Sequence, residues 1–365
     1  MNARVIASSI KLEGNMDKLL RKIGVATGVA LLGVAGVLGT QPASAEGQLN
    51  VYNWGDYINP EVLTRFTEDT GIEVTLDTYG TNEEMLAKIQ AGATGYDIVF
   101  PSVHMRDIMQ KLGLLHDAKV NTLKGFENID PVAKRSLVDP ESSYCLPYAW
   151  GAVGIFYNKE EAGEITSWED FFALPDKGKK ITMLDDLRET IGVALIMNGH
   201  SVNTGDSDAL KQAEAWLLER KDKISAFTYD VGPLVQAGDI AAAHWYVGAT
   251  FLVLQEPDRL GFVIPEEGAT MYQEDICVLK TAPNKENAIR FFEFYMQPEI
   301  AALNTLQQVN GTANVPARDL LPDELKNNPN TNPPPDVMAK LQIFEDLGKD
   351  LRKYNRVWTK VRTAQ

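Results

Sequence analysis

The chain has 365 residues, with 50 acidic and 35 basic side chains and a formal net charge of −15 at pH 7. Such an acidic surface repels nucleic acid and anionic lipid, which argues against both as partners, and it gathers small cations. Two cysteines and four scattered histidines form no metal-ligand pattern, so neither a metal nor another cofactor is expected.

Residues 16–22 are basic, residues 23–38 are apolar, and Ala43-Ser44-Ala45 offers a small-residue cleavage site. This is the pattern of an export signal over residues 1–45, with Met16 as an alternative start. The segment carries five basic and two acidic residues, so its removal moves the formal charge from −15 to −18. No later stretch reaches the roughly 18 apolar residues of a membrane span. A periplasmic location follows, and its oxidising chemistry permits a disulfide. Sequence spacing alone leaves open whether Cys145 and Cys277 pair.

A strand over residues 49–54 leads into Gly55-Asp56-Tyr57, and a helix over residues 60–69 stops at Thr70-Gly71. Residues 72–76 make the next strand, and Asn82 caps a helix through Gln90. Residues 96–100 are a buried strand ending at Pro101-Ser102, and residues 106–111 a helix. After Ser143 a strand at 152–157 opens a second α/β series, with segments at 168–172, 180–184, 189–197 and 207–218. Strands follow at 241–246, 261–264 and 275–279, then helices at 285–295 and 298–306. The proline-rich residues 328–335 read as a surface loop and residues 336–363 as a helical tail. This alternation predicts two α/β lobes, between which a cleft can close by hinge motion.

Ligands of open α/β sheets sit at strand carboxyl ends, and acids and rings recur at such points here. Trp54, Asp56 and Tyr57 follow the first strand, and Ser102 and His104 follow the third. Asp186 and Glu189 precede a helix, Trp245 ends an alanine-rich strand, and Tyr272 and Glu274 precede another. Each has an ordinary structural alternative: Asp186 as a helix N-cap, Trp245 and Tyr272 as core, Asp56 as a turn residue. Their recurrence suits a cation with an apolar body, since an ammonium favours a ring face and needs a carboxylate when desolvated.

Several motifs resemble the periplasmic polyamine-binding proteins of spermidine/putrescine ABC transporters. They are Tyr52-Asn53-Trp54-Gly55-Asp56-Tyr57, residues 96–102, Pro147-Tyr148-Ala149-Trp150-Gly151, Thr166-Ser167-Trp168, residues 185–189, residues 282–288, and Arg356-Val357-Trp358-Thr359-Lys360. The resemblance implies a two-lobed periplasmic-binding-protein fold with the ligand cleft between lobes joined by hinge strands. It implies a first lobe over residues 46–150 and 276–316, and a second over residues 151–275 and 317–365. Cys145 and Cys277 then fall near the crossings, where they are a candidate disulfide.

Position by position, Trp54, Asp56 and Tyr57 match the family's aromatic–acid–aromatic turn, and Ser102 a polar residue at the rim. His104 stands where an aromatic is common, Asp186 and Glu189 match acids that hold an amino group, and Trp245 matches a tryptophan along the methylene chain. Tyr272 falls at another tryptophan position and Glu274 at an aspartate, although a one-residue shift selects Asp275 instead. Gly311 departs from a tyrosine, and Gly248 from an aspartate of putrescine-preferring members, which tilts the expectation towards a triamine.

The resemblance thus implies a monomeric, non-catalytic binding protein delivering a polyamine to a membrane permease, or presenting it to a membrane sensor. An exported hydrolase using Asp186 and Glu189 as acid and base is disfavoured. Their spacing puts both on one helix face, whereas glycosidase carboxylates flank the bond from separate elements, and no G-x-S-x-G elbow is present.

Overall fold

The Asn59-Pro60 pair starts the first helix, α1 (Pro60–Thr70), by two separate means. Asn59 Oδ1 accepts from Glu61 N at 3.0 Å, and Pro60 occupies the first turn, where its missing N–H leaves nothing unpaired. The helix stops at Gly71, whose φ of 71° lies in the left-handed region. It connects β1 (Gly47–Trp54) to β2 (Ile72–Tyr79), which pair in parallel. Val62 and Phe66 of the helix are buried in the same core as Leu49 and Val51 of β1.

This computed structural model describes residues 47–133 and 138–364. The export signal over residues 1–45 lies outside the described residues.

α2 (Asn82–Gln90) begins one residue earlier than expected, because Thr81 is the cap, its Oγ1 accepting from Glu84 N at 3.1 Å. The side chain of Asn82 is thereby free to bond Ser102. β3 (Ile98–Val99) is shorter than residues 96–100. Buried Asp97 is turned instead to Asn50 N and Asn284 N, at 2.8 and 2.7 Å. α3 (Val103–Lys111) starts before Arg106 and carries His104 in its first turn.

Two long strands organise the rest. β4 (Cys145–Asn158) is buried throughout and begins well before residue 152. After it come β5 (Ile181–Met183), α4 (Leu187–Met197), α5 (Ser207–Arg220), β6 (Ile224–Phe227), β7 (Ala242–Tyr246) and β8 (Leu260–Val263). β9 (Ala269–Val278) begins six positions before the expected Asp275 and pairs antiparallel with β4, from Cys145 opposite Cys277 to Val153 opposite Thr270. Cys145 and Cys277 form a disulfide across that register, with their Cα atoms 4.5 Å apart.

Among the described residues the strands form one sheet, ordered β2-β1-β3-β9-β4-β7-β5-β6 along its main path. β4 and β9 carry it between separate cores. One core gathers side chains from Leu49 to Ala149 and from Ile276 to Ile300. Others gather Ile155, Phe156 and residues through Phe262, with α4 packed on α5 and the C-terminal helix. The molecule is accordingly a two-lobed α/β fold.

Beyond β9 the helices α6 (Lys285–Tyr295) and α7 (Pro298–Gln308) follow expectation, and β10 (Gly311–Thr312) pairs with β4. The tail corrects it. Residues 336–363 are not one helix. After a single turn at Pro335–Met338, β11 (Leu341–Ile343) pairs in parallel with Ala269–Met271, and α8 (Leu351–Thr363) starts after Gly348 at φ 50°. Pairing with the edge of β9 satisfies the backbone of Leu341-Gln342-Ile343 in place of helix.

Candidate functional site

Strand alternation builds one wall of the site. On β9, Thr270, Tyr272 and Glu274 share a face, and Met271, Gln273 and Asp275 share the other. Val153 of β4 lies opposite both Thr270 and Tyr246, and Ile155 lies opposite His244. His244 and Tyr246 of β7 therefore join the face of Thr270, Tyr272 and Glu274.

Glu189 meets that face from the first turn of α4. Asp186 caps the helix, its Oδ1 accepting from Arg188 N at 2.7 Å and Glu189 N at 3.0 Å, so the structural role weighed for Asp186 is present. The Glu189 carboxylate accepts the Thr270 hydroxyl and lies 3.9 Å from His244 Nε2. Among the described residues no lysine or arginine is within ion-pair distance of it. Neighbouring Arg188 turns away, donating to Glu345 O, Val202 O and Asn203 Oδ1 at 3.2, 3.3 and 2.8 Å. Burial first, and then the Asp186 charge, push Glu189 up to about 8, against the opposing pull of Thr270 and Arg188.

Glu274 forms the second acidic point. Its Oε2 accepts from Tyr57 Oη at 2.8 Å and its Oε1 from Ser102 Oγ at 3.1 Å. Ser102 stands at the N-cap of α3 but does not cap it. Asn82 holds it from both sides, donating to Oγ at 3.0 Å and accepting from its N–H at 3.3 Å. Burial pushes Glu274 up to about 7, while the Tyr57 and Ser102 bonds pull it down. Asp275 points the other way, into a buried ion pair with Arg106 and a 2.8 Å bond from Gln273 Nε2.

Rings stand between the acids. Tyr272 lies across Gly151, where an added Cβ would come within 2.5 Å of the tyrosine oxygen, so only glycine leaves it room. Its ring is 5.8 Å from that of Tyr246. Burial raises both phenols, reinforced chiefly by Glu274 for Tyr272 and by Glu189 for Tyr246, and Tyr246 also feels Glu274. Tyr246 thus lies in the field of both carboxylates.

Trp245 and Tyr246 both end the alanine-rich strand, and the sequence reading takes Trp245 alone to the site. Trp245 has the opposite parity on β7 and packs against the buried cluster that includes Val231 and Val235. It meets Tyr229 and Tyr246 edge-on at 6.3 and 5.6 Å. Tyr229 in turn donates to Asp186 Oδ2 at 3.2 Å, so Trp245 and Asp186 sit together at one rim. The signal that finds Tyr246 is parity: it is two residues from His244, which faces Glu189.

The remaining expected residues make separate contacts. Trp54 Nε1 donates to Phe100 O at 2.8 Å, and its half-buried ring leans on Tyr79 at 4.7 Å. Asp56 is exposed, in left-handed backbone at φ 53°, and its carbonyl accepts from Gln308 Nε2 at 3.1 Å. His104 turns its ring edge to Phe344 at 6.3 Å, and burial, then Arg188, depress it to about 3, so it is neutral. Trp150 packs onto Gly311, where a Cβ would fall 2.3 Å from the indole and a tyrosine has no room.

Two buried carboxylates, Glu189 and Glu274, thus share a wall lined by phenol rings, with no lysine or arginine within ion-pair distance among the described residues. Among the described residues no cluster of three His, Cys, Asp or Glu is disposed to hold a metal, and no helix is long and apolar enough to cross a membrane.

The chain belongs to the bacterial extracellular solute-binding proteins, whose family model matches residues 61–333. Within that class it is 31% identical over 328 residues to the spermidine/putrescine-binding periplasmic protein of Salmonella typhimurium, covering 88% of this chain and 94% of that one. It is also 31% identical over 362 residues to the putrescine-binding periplasmic protein SpuD of Pseudomonas aeruginosa, covering 92% and 98%. Among solved structures it resembles the spermidine/putrescine ABC transporter substrate-binding protein PotD of Streptococcus pneumoniae, with TM-score 0.79, 32% identity and coverage of 87% and 99%.

Proposed function

We propose that this protein captures a linear polyamine in the cleft and delivers it to the membrane permease of an ABC transporter. The observation that carries the reading is the pair Glu189 and Glu274, both buried, both facing the same ring-lined wall, and neither within ion-pair distance of a lysine or arginine among the described residues. Each end of the ligand supplies the missing cation. Each methylene withdrawn from water adds about 0.8 kcal/mol, and a ring face over an ammonium about 0.5–2 kcal/mol. Tyr246 and Tyr272 serve as the rings, Tyr57 and Ser102 orient Glu274, and Trp54, Asp56, His104, Asp186 and Trp245 frame the rims.

The names of the relatives support a polyamine over other solutes. Binding rather than catalysis is favoured because the oxygens of Asp186 are engaged by the α4 backbone and by Tyr229, leaving Glu189 without an acid–base partner. The lobes we assign are residues 46–150 with 276–316, and residues 151–275 with 317–365. The protein acts as a monomer, exported to the periplasm through residues 1–45, and prefers a triamine. Calorimetry tests this: spermidine and putrescine give binding heats at micromolar protein and maltose gives none. Silence with every linear amine overturns the reading.

A further inference from the structure

Building on that reading, we infer that the cleft is a proton exchanger: the first ammonium enters in place of a hydrogen ion carried on Glu189. Three features of the geometry carry this. Glu189 is 4% exposed, and among the described residues its one side-chain hydrogen bond comes from the Thr270 hydroxyl and no lysine or arginine pairs with it. A lone ionised carboxylate in such a place is costly enough that it takes up a proton instead.

The one basic side chain within 4 Å of Glu189 among the described residues, His244, cannot serve as a counter-ion. It is fully buried, neither ring nitrogen has a hydrogen-bond partner, and its ring meets Trp168 edge-on at 5.2 Å. Burial depresses it to about 3, so it stays uncharged at neutral pH. The other groups facing Glu189 do not restore a charge balance. On its own helix Asp186 opposes ionisation, and Arg188 assists it weakly from a guanidinium bonded elsewhere. From β9 Glu274 also opposes it. The phenols of Tyr229, Tyr246 and Tyr272 are all pushed up and remain neutral.

The value of about 8 for Glu189 agrees with an acid that is mostly protonated in the empty cleft at pH 7. On binding, the carboxylic O–H breaks, the proton leaves to the buffer, and the oxygen accepts an N–H from an ammonium that keeps its own protons. Glu274, at about 7, adds a smaller share of the same exchange.

The test titrates putrescine and spermidine into the wild-type protein by calorimetry at pH 7, in phosphate and in Tris, which differ widely in ionisation enthalpy. The expected result is a heat difference equal to between one and two buffer ionisations per ligand, with affinity rising by about tenfold or more per pH unit between pH 6 and 7 and less steeply above. Glu189→Gln loses the larger part of that proton count. Binding with equal heats in both buffers, or an unchanged count in Glu189→Gln, overturns the exchange and leaves polyamine capture standing. No binding at any of these pH values overturns both.

Discussion

Replacing Glu189 with glutamine is expected to stabilise the empty protein while weakening its hold on the ligand. The carboxyl ordinarily titrates near 4.5 and is pushed up to about 8 when folded, chiefly by burial. Between those values the folded state holds a proton that the unfolded state has released. Stability therefore falls as pH rises from 4.5 towards 8, the reverse of an ordinary salt-bridged carboxylate. At pH 7 the span above 4.5, at 1.36 kcal/mol per unit, amounts to about 3 kcal/mol of lost stability. Glutamine removes the charge, keeps the shape and still accepts from Thr270. With an unfolding entropy of about 2.1 cal/mol/K per residue, the variant gains about 4 °C in midpoint at pH 7. Thermal unfolding followed by circular dichroism, without ligand, at pH 5 and pH 7 reads this directly. The gap should nearly vanish at pH 5, where wild type pays little to keep its proton. A variant less stable than wild type at pH 7, with the same gap at pH 5, would refute the reasoning.

Other consequences are equally direct. Tyr246→Ala should weaken amine binding by about 1–3 kcal/mol, and Trp245→Ala less, since its ring lies on the far face of β7; the opposite order in titrations would put Trp245 on the ligand instead. Glu274→Gln should lose affinity by about 1–3 kcal/mol without lowering stability. Asp275→Asn should do the reverse, because it strips a buried partner from Arg106, a change that typically costs about 3–5 kcal/mol of stability; equal affinity losses would show that the two acids have been assigned wrongly. Reducing the Cys145–Cys277 bond, which spans 132 residues, should lower stability by about 4–5 kcal/mol on loop entropy, and a midpoint indifferent to reductant would contradict that.

How much was legible in the sequence depended on whether local pattern and tertiary role agreed. Lys285–Tyr295 and Pro298–Gln308 read as helices because apolar periodicity and a starting proline point the same way. Glu189 stands out in the sequence because it belongs to an acid cluster at a strand end. β9 was hidden: Gln273-Glu274-Asp275 interrupt it with polar residues that make no sense in a strand until Arg106 and the cleft supply their partners. That hidden start also concealed the parity separating Glu274 from Asp275. The first half of β4 was masked by Pro147 and Gly151, yet Gly151 is glycine because Tyr272 presses against the strand. Tyr246 was passed over for its larger neighbour, since choosing between adjacent rings requires knowing which face of β7 meets α4. β11 depends on a sheet edge formed by β9, a contact that three residues cannot announce.

A crystal structure with spermidine bound tests the central claim most directly. The expected result is an ammonium nitrogen about 3 Å from a Glu189 oxygen and another cationic nitrogen about 3 Å from Glu274, with the intervening methylenes against Tyr246 and Tyr272. Spermidine seated elsewhere, with both carboxylates still lacking a cation, would contradict it.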